Sequence, residues 1–490
     1  MNNSQHRSSF PRLTQKQVAT AIARHEMLYS GRIGGARAVF AFCDLSGLDL
    51  AGHTLNDADF TGAILEEADL AGAKLDSASF FGADLRRANV SGASMRRADL
   101  RGASLRGANL IGTDLYEADL REGSIAESDR HRNLHLLKHE NGRSELPAAL
   151  LVSANLERAR MAGALAVQAD FTDAMMKGCR LTRANLRQAK LTGANLENAD
   201  LTGCNLTGAD LKGAILIGAR LEQAITAGAN LADALTEDNA GIDPDSAAIP
   251  LGDLLLGHAA WVESEGREGR PADLSGLDLR NATGLAHRKF TALIAPGATF
   301  YGLDLEGVSL QGSNLAGADL RSAKLSGADL RGANLSGAKL NYADLRDARI
   351  GPLLIGEERL MPARLDEAQL RYADLRGADL RRARLQGSDL ATPIWGRPIC
   401  AMPILPVRFS RAPDCRRSAP NASPTSPPPA GSEHPATNGS PSRFAHRPAL
   451  SWPANAGHPG DTAALSEGLV RVFSGESVSG FNWMARICGP

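Results

Sequence analysis

The chain has 490 residues, of which 4% are aromatic and 50 are glycine, so a conventional core of large rings is excluded and another packing scheme must hold it together. Lysine plus arginine total 54 against 55 aspartate plus glutamate, a formal charge of -1 that excludes any global attraction to nucleic acid or anionic membrane. The six cysteines form no Cys-x-x-Cys pair, the first fifteen residues lack a secretory apolar stretch, and no run reaches the roughly 18 apolar residues of a membrane span; a soluble, cytoplasmic protein with free thiols is expected.

Residues 1–13 read as a disordered N-terminus. Over 14–31 the spacing predicts a short capping helix: Val18, Ala21, Ile22, His25, Leu28 and Tyr29 share one face, Thr14 with Gln17 makes a capping box, and Gly31 is a terminator. From 38 to 125 a different pattern takes over. Every fifth residue from Leu45 to Ile125 is apolar, and the residue two places earlier is usually alanine. A period of five fits neither a strand nor a helix, because five helical steps of about 100° would smear the stripe around the axis. Within one unit, however, the small and the large apolar residue are two apart, which is extended-chain alternation. The following pair, as in Ser46-Gly47 and Thr61-Gly62, is turn chemistry. An extended segment and a corner, repeated four times, close a square of twenty residues, so Leu65 should stack on Leu85 and Leu105.

An insertion over 126–150 interrupts the coils and shifts their phase by one residue; a second tract follows over 151–235, in which only Ala166 and Thr226 depart from large apolar character at the fifth position. A linker over 236–249 leads to a second capping helix over 250–264, where Leu251, Leu254, Leu255, His258, Trp261 and Val262 repeat the first helix's pattern 233 residues later. Each helix precedes the same heptapeptide, Asp44–Leu50 and Asp273–Leu279, which marks a tandem duplication of a helix-plus-solenoid module. The helices are expected to cover the open ends of two rods, where unpaired backbone would otherwise be exposed. A third tract over 271–390 is expected to run in one register from Phe300 to Leu390, straight through the degenerate stretch 351–362. Residues 391–490 hold most of the prolines and read as a disordered tail.

The strings Ala98-Asp99-Leu100-Arg101-Gly102, Ala194-Asn195-Leu196, Ala328-Asp329-Leu330-Arg331-Gly332 and Ala378-Asp379-Leu380 resemble the pentapeptide-repeat family, whose consensus is Ala-(Asp/Asn)-Leu-x-x. That resemblance implies an all-β solenoid, a right-handed quadrilateral β-helix. It also brings to mind those members that imitate duplex DNA and modulate DNA gyrase.

Several residues invite a chemical role. His131, His135 and His139 in the insertion would form one stripe on a helix and suggest a metal site, with Glu127 near; yet the outer two would be about 12 Å apart, too far to share one ion. His25 and His258 sit at equivalent places on the two leader helices, where an imidazole hydrogen bond to the first coil is the simpler expectation. Cys179 and Cys204 replace the inward alanine and read as small core residues, and Cys43 takes the same reading. Arg86, Arg87, Arg96, Arg97, Arg101 and Arg106 are the densest basic run, with Arg86 and Arg106 expected to stack, but no aromatic residues interleave as a single-strand binder would want. Asp99 and Asn109, like many residues before the central leucine, are expected to hydrogen-bond at corners rather than act as acid-base pairs.

No catalytic, cofactor or metal residue is therefore assigned and no cofactor is expected. A solid interior denies the chain the apolar pocket a small-molecule enzyme uses. The expected function is a non-enzymatic scaffold for an unknown protein partner, with self-association as a homodimer left open, no membrane partner, and nucleic acid disfavoured. Two alternatives compete: a DNA-mimic modulator of gyrase or topoisomerase, for which residues 40–125 carry 14 acidic against 8 basic residues, and a metal-dependent activity at His131, His135 and His139.

Overall fold

The computed structural model describes residues 10–123, 125–128, 134–137, 144–247, 249–356 and 359–391, with backbone alone described at 125–128 and 134–137. The chain divides into two compact units, Met1–Gly241 and Ile242–Pro490.

Both units are built from the same local rule. The residue before most central leucines bridges in parallel to a residue twenty positions on, as in the series Asp59, Ser79 and Asp99. The Phe60 amide donates to the Ser79 carbonyl at 2.7 Å, and the Ser79 amide donates back to Ala58 at 3.0 Å. The corner closes when the Ala63 amide donates to Phe60 at 2.9 Å, with Gly62 at φ +64° in the third turn position. That is the position of a type II turn that demands positive φ, which is why glycine recurs there. Arg87, at φ +56°, and Tyr342, at φ +62°, occupy the same kind of corner without being glycine.

Leu65, Leu85 and Leu105 are all fully buried, each linked to the next coil through its own amide. The column above Phe40 is a ring ladder, with Phe40–Phe60 centroids 5.2 Å apart and Phe60–Phe80 centroids 4.7 Å apart. Leucine columns and alanine columns together fill the interior of each unit. Burying each large side chain contributes on the order of 1.5–3 kcal/mol, so cohesion grows with coil number.

The two tracts of the first unit form one continuous solenoid. Ser104 bridges to Glu145, forty-one residues on, and Asn109 to Leu150. The coil is left after Leu120 and regained at Ser144, whose buried hydroxyl donates to Arg121 O at 2.9 Å and accepts from the Gly102 amide at 3.1 Å. The excursion is thus shorter than the 126–150 expected: Leu146 and Ala149 are already core, while Ile125 belongs to a strand outside the coil. This strand, β1 (Ile125–Ser128), pairs antiparallel with β2 (Leu134–Leu137).

In the second unit the expectation of an unbroken register fails. Asn334 bridges to Arg364, thirty residues on, because ten extra residues, 352–361, follow Gly351, whose carbonyl still accepts from the Gly332 amide, and they include the paired strands β3 (Leu353–Ile355) and β4 (Arg359–Met361). An excursion of ten residues preserves the phase of a five-residue period, so Ile355 and Leu360 counted as core positions although neither enters the coil.

Two helices cover coil edges. Helix α1 (Gln15–Tyr29) starts at Thr14, whose amide donates to Gln17 Oε1 at 2.8 Å in a capping box, and buries Val18, Ile22 and His25. The free edge of the first coil is paired by substitutes: the Leu13 amide donates to Asp44 O at 2.9 Å, and the Gln15 side-chain amide exchanges two bonds with the Asp49 backbone at 2.7 and 3.0 Å. Helix α2 (Leu251–Glu263) starts at Pro250 and buries His258 and Trp261. Residues 236–249 are more than a linker, since Ile242 accepts from the Asp278 amide at 2.8 Å and so pairs the edge of the second unit. Among the described residues no helix is long and apolar enough to cross a membrane.

Candidate functional site

The two leader histidines occupy matching environments. Each is fully buried, and each accepts a coil amide at Nδ1: Ala38 N at 3.0 Å for His25, Ala272 N at 3.1 Å for His258. An acceptor Nδ1 requires the neutral ring to carry its proton on Nε2. Burial lowers the pKa of both, that of His258 to about 4, while Asp57 near His25 opposes the effect. These rings are clasps between helix and coil. Tyr29 adds a third contact at the first cap, donating to Asn56 O at 2.9 Å; burial and the Asp57 carboxylate push its phenol up to about 12.

The aspartates and asparagines before the central leucine do what their spacing predicts. Asp59 Oδ1 accepts from the Thr61 amide at 3.0 Å, and Asn109 Oδ1 accepts from the Ile111 amide at 3.2 Å. Where the residue two further on is arginine, the carboxylate also takes a two-pronged guanidinium bond. Asp99 holds Arg101 at 2.8 and 2.7 Å, and Asp119 holds Arg121 at 2.9 and 2.8 Å. Sequence reasoning recognised the corner bond and missed this second use, although Asp-Leu-Arg was its visible signal.

Five of the six arginines of the basic run are accordingly tied to carboxylates, while Arg97 lines a groove with Arg101, Arg121 and Arg160. Arg86 binds Asp84 and Glu66, Arg87 binds Glu66 and Glu67, Arg96 binds Asp114, and Arg106 binds Glu145. Arg86 and Arg106 thus turn to different counterions. Two of these guanidiniums also sit over rings, Arg96 on Tyr116 at 4.5 Å and Arg101 on Phe81 at 5.0 Å. Asp119 gathers Arg121, Arg160 and Arg101; burial pushes its carboxyl up, but the guanidinium and backbone bonds outweigh this and lower it. Beside this cluster runs a groove of about 700 Å³ whose lining includes Arg101, Arg121, Arg183, Thr182 and Thr202.

Cys179 and Cys204 are fully buried, and burial pushes both thiols up, Cys204 to about 12. Cys43 is only partly buried, at the edge of the core. His131 and His139 lie outside the described residues. The backbone of His135 lies in β2, opposite Glu127 of β1, so the helical spacing assumed for the histidine stripe does not hold there. Among the described residues no three histidine, cysteine, aspartate or glutamate side chains converge as a metal site.

A family profile described as pentapeptide repeats matches in eight copies, over residues 38–76, 54–92, 83–121, 149–188, 179–216, 313–350 and 363–391. Similar solved structures include HetL, a pentapeptide repeat protein involved in heterocyst differentiation regulation from the cyanobacterium Nostoc, at 26% identity over 67% of this chain and 93% of that one, with a TM-score of 0.21. They also include the pentapeptide repeat protein Rfr23 from the cyanobacterium Cyanothece, at 29% identity over 27% of this chain and 91% of that one, with a TM-score of 0.24. Full-length QnrB1, a plasmid-mediated fluoroquinolone resistance protein, matches at 17% identity over 66% of this chain and 91% of that one, with a TM-score of 0.10. No curated protein matches the chain.

Proposed function

Because the chain belongs to the pentapeptide-repeat family, whose members fold as right-handed quadrilateral β-helices, we propose that it is a non-enzymatic scaffold that presents its outer walls to a protein partner. The observation that carries this reading is the filled interior: leucine and alanine columns occupy the axis, and many of the polar side chains left outside are engaged at corners and in ion pairs. A stiff wall with variable outward positions offers many contact residues at little ordering cost, which suits recognition better than chemistry.

The test is affinity capture from an extract of the source cells with the full chain immobilised, followed by chemical cross-linking of the bound fraction. A partner retained through residues of the outer walls supports the scaffold. No protein retained above a blank matrix refutes it.

Mimicry of duplex DNA toward gyrase is the rival reading, motivated by the acidic balance of residues 40–125. Much of that charge is already matched, since Glu66, Asp84, Asp99 and Asp119 all hold arginines. Inhibition of gyrase supercoiling by the full chain at micromolar concentration would favour the rival.

A further inference from the structure

The hairpin of the second unit has no part in forming the coil, and its two faces differ. Leu353 and Ile355 are buried, at 2% and 4% exposure. Leu353 and Met361 rest on Gly332, where a Cβ would come within 2.7 Å of Leu353 Cβ and 2.8 Å of Met361 Cε, so the hairpin is seated on a surface that only glycine leaves open. On the other face Leu354 and Leu360 stand directly opposite one another and remain 45% and 43% exposed. Two leucines held side by side in water forgo part of the roughly 1.5–3 kcal/mol that burial of each would contribute.

Leu360 also lines a groove of about 1280 Å³ with Pro352, the arginines Arg331, Arg349, Arg381 and Arg382, and the aspartates Asp347 and Asp379. Arg381 is held by Asp379 at 2.7 Å yet its side chain stays 55% exposed, and Arg349 reaches Asp329 only at 3.9 Å with 65% exposure. Arg382 is exposed at a corner with φ +55°, and no carboxylate among the described residues pairs with it. One leucine of the exposed pair, Leu360, therefore lies against guanidiniums that keep capacity for a further anion.

We infer that the β3–β4 hairpin and the wall beside it form a docking surface for an acidic, leucine-bearing segment of a protein partner, with Leu354 and Leu360 meeting its apolar side chains and Arg349 and Arg382 its carboxylates. The occupant is chosen by complementarity: four guanidiniums against two carboxylates give the groove a surplus of positive charge that would repel a basic segment, and a nucleic acid would leave the leucine pair in water. The inference rests on the scaffold reading and deepens it by naming the surface and the chemistry of the partner.

The hairpin supplies its own control. Deleting residues 352–361 together with Pro362→Gly removes two whole repeats' worth of chain in phase and puts glycine at the third turn position, which proline cannot occupy, so the coils on either side keep their register. The probe is a fluorescein-labelled peptide of alternating glutamate and leucine, titrated by anisotropy against the full-length protein, the deletion, a Leu354→Ser/Leu360→Ser variant and an Arg349→Gln/Arg382→Gln variant. We expect binding by the wild type and about tenfold weaker binding by each variant. The arginine variant should also lose most of the salt dependence. A deletion that fails to fold, judged by circular dichroism, leaves the decision to the serine variant, which alters exposed positions alone. Equal binding by wild type and serine variant overturns the inference, as does a lysine–leucine peptide or a duplex oligonucleotide binding better than the acidic peptide. If a partner captured from extract is retained equally by the deletion, this surface is refuted while the scaffold reading stands.

Discussion

Acid should release the second leader helix through a single ring. His258 is fully buried, accepts the Ala272 amide at Nδ1, and is surrounded by the rings of Trp261 and Phe290 rather than by counterions. Burial holds its pKa at about 4, against 6.5 for a free imidazole. The unfolded segment therefore takes up a proton near pH 6.5 that the folded segment refuses until about pH 4. Stability from the neutral ring is intact above pH 6.5, falls as the pH drops through that window, and is lost in full below about pH 4. The full difference corresponds to about 3 kcal/mol, a large fraction of what holds a thirteen-residue helix in place. The assay is hydrogen exchange of the α2 amides between pH 7 and pH 4.5, corrected for intrinsic rates, in the wild type and in His258→Asn. Asparagine offers an oxygen to the Ala272 amide and does not titrate. The variant should be weaker at pH 7 through lost packing, yet its protection should be nearly flat with pH. Parallel pH profiles in the two proteins would refute the reasoning, because the titrating group would then lie elsewhere.

Three further outcomes follow from the packing. Phe60→Ala should cost about 3–5 kcal/mol of the first unit's stability in urea melts, since it breaks the ladder between Phe40 and Phe80, and a cost below about 1 kcal/mol would show that the column relaxes freely. The Asp319–Arg321 pair is nearly dry, at 9% and 3% side-chain exposure, so Asp319→Asn should cost about 3–5 kcal/mol. The same change at Asp374, whose partner Arg376 is 53% exposed, should cost at most about 1 kcal/mol; thermal melts of the two variants compare them. Cys179 and Cys204, with thiols pushed up by burial, should resist a thiol-reactive disulfide reagent at pH 8 until the chain is unfolded, and rapid native labelling of either would contradict the solid interior.

The coil was legible because one physical rule repeats: a small residue, a large residue two places on, and a corner. What escaped sequence reading did so for identifiable reasons. Residues 352–361 mimic the repeat because a ten-residue excursion returns the chain in phase, and Ile355 and Leu360 fall where core leucines should. The resumption of the first solenoid at Glu145 was hidden because Pro147-Ala148 replaces the polar-glycine corner and Leu150 stands where an aspartate or asparagine usually marks the bridge. His25 and His258 were visible through their duplicated placement, and their bond to a coil amide was the simpler of the readings available. The pairing of Gln15 with Asp49 depends on where the helix is laid across the coil, which no local pattern encodes. The exposed leucine pair was equally hidden, since only the turn of the hairpin decides which of its side chains meet the wall.

The occupied edge at Gln15 and Leu13 gives the first unit a direction. The edge backbone of its opening coil is already bonded at Asp44 and Asp49, so on those two sides another chain finds no free ladder to zip onto, in the way a plug blocks a pipe. At the opposite side Leu221 and Leu231, interior positions by phase, are 36% and 44% exposed. Fraying, and any lengthening or shortening by whole turns over evolutionary time, should therefore begin among residues 216–235 and move toward the plug.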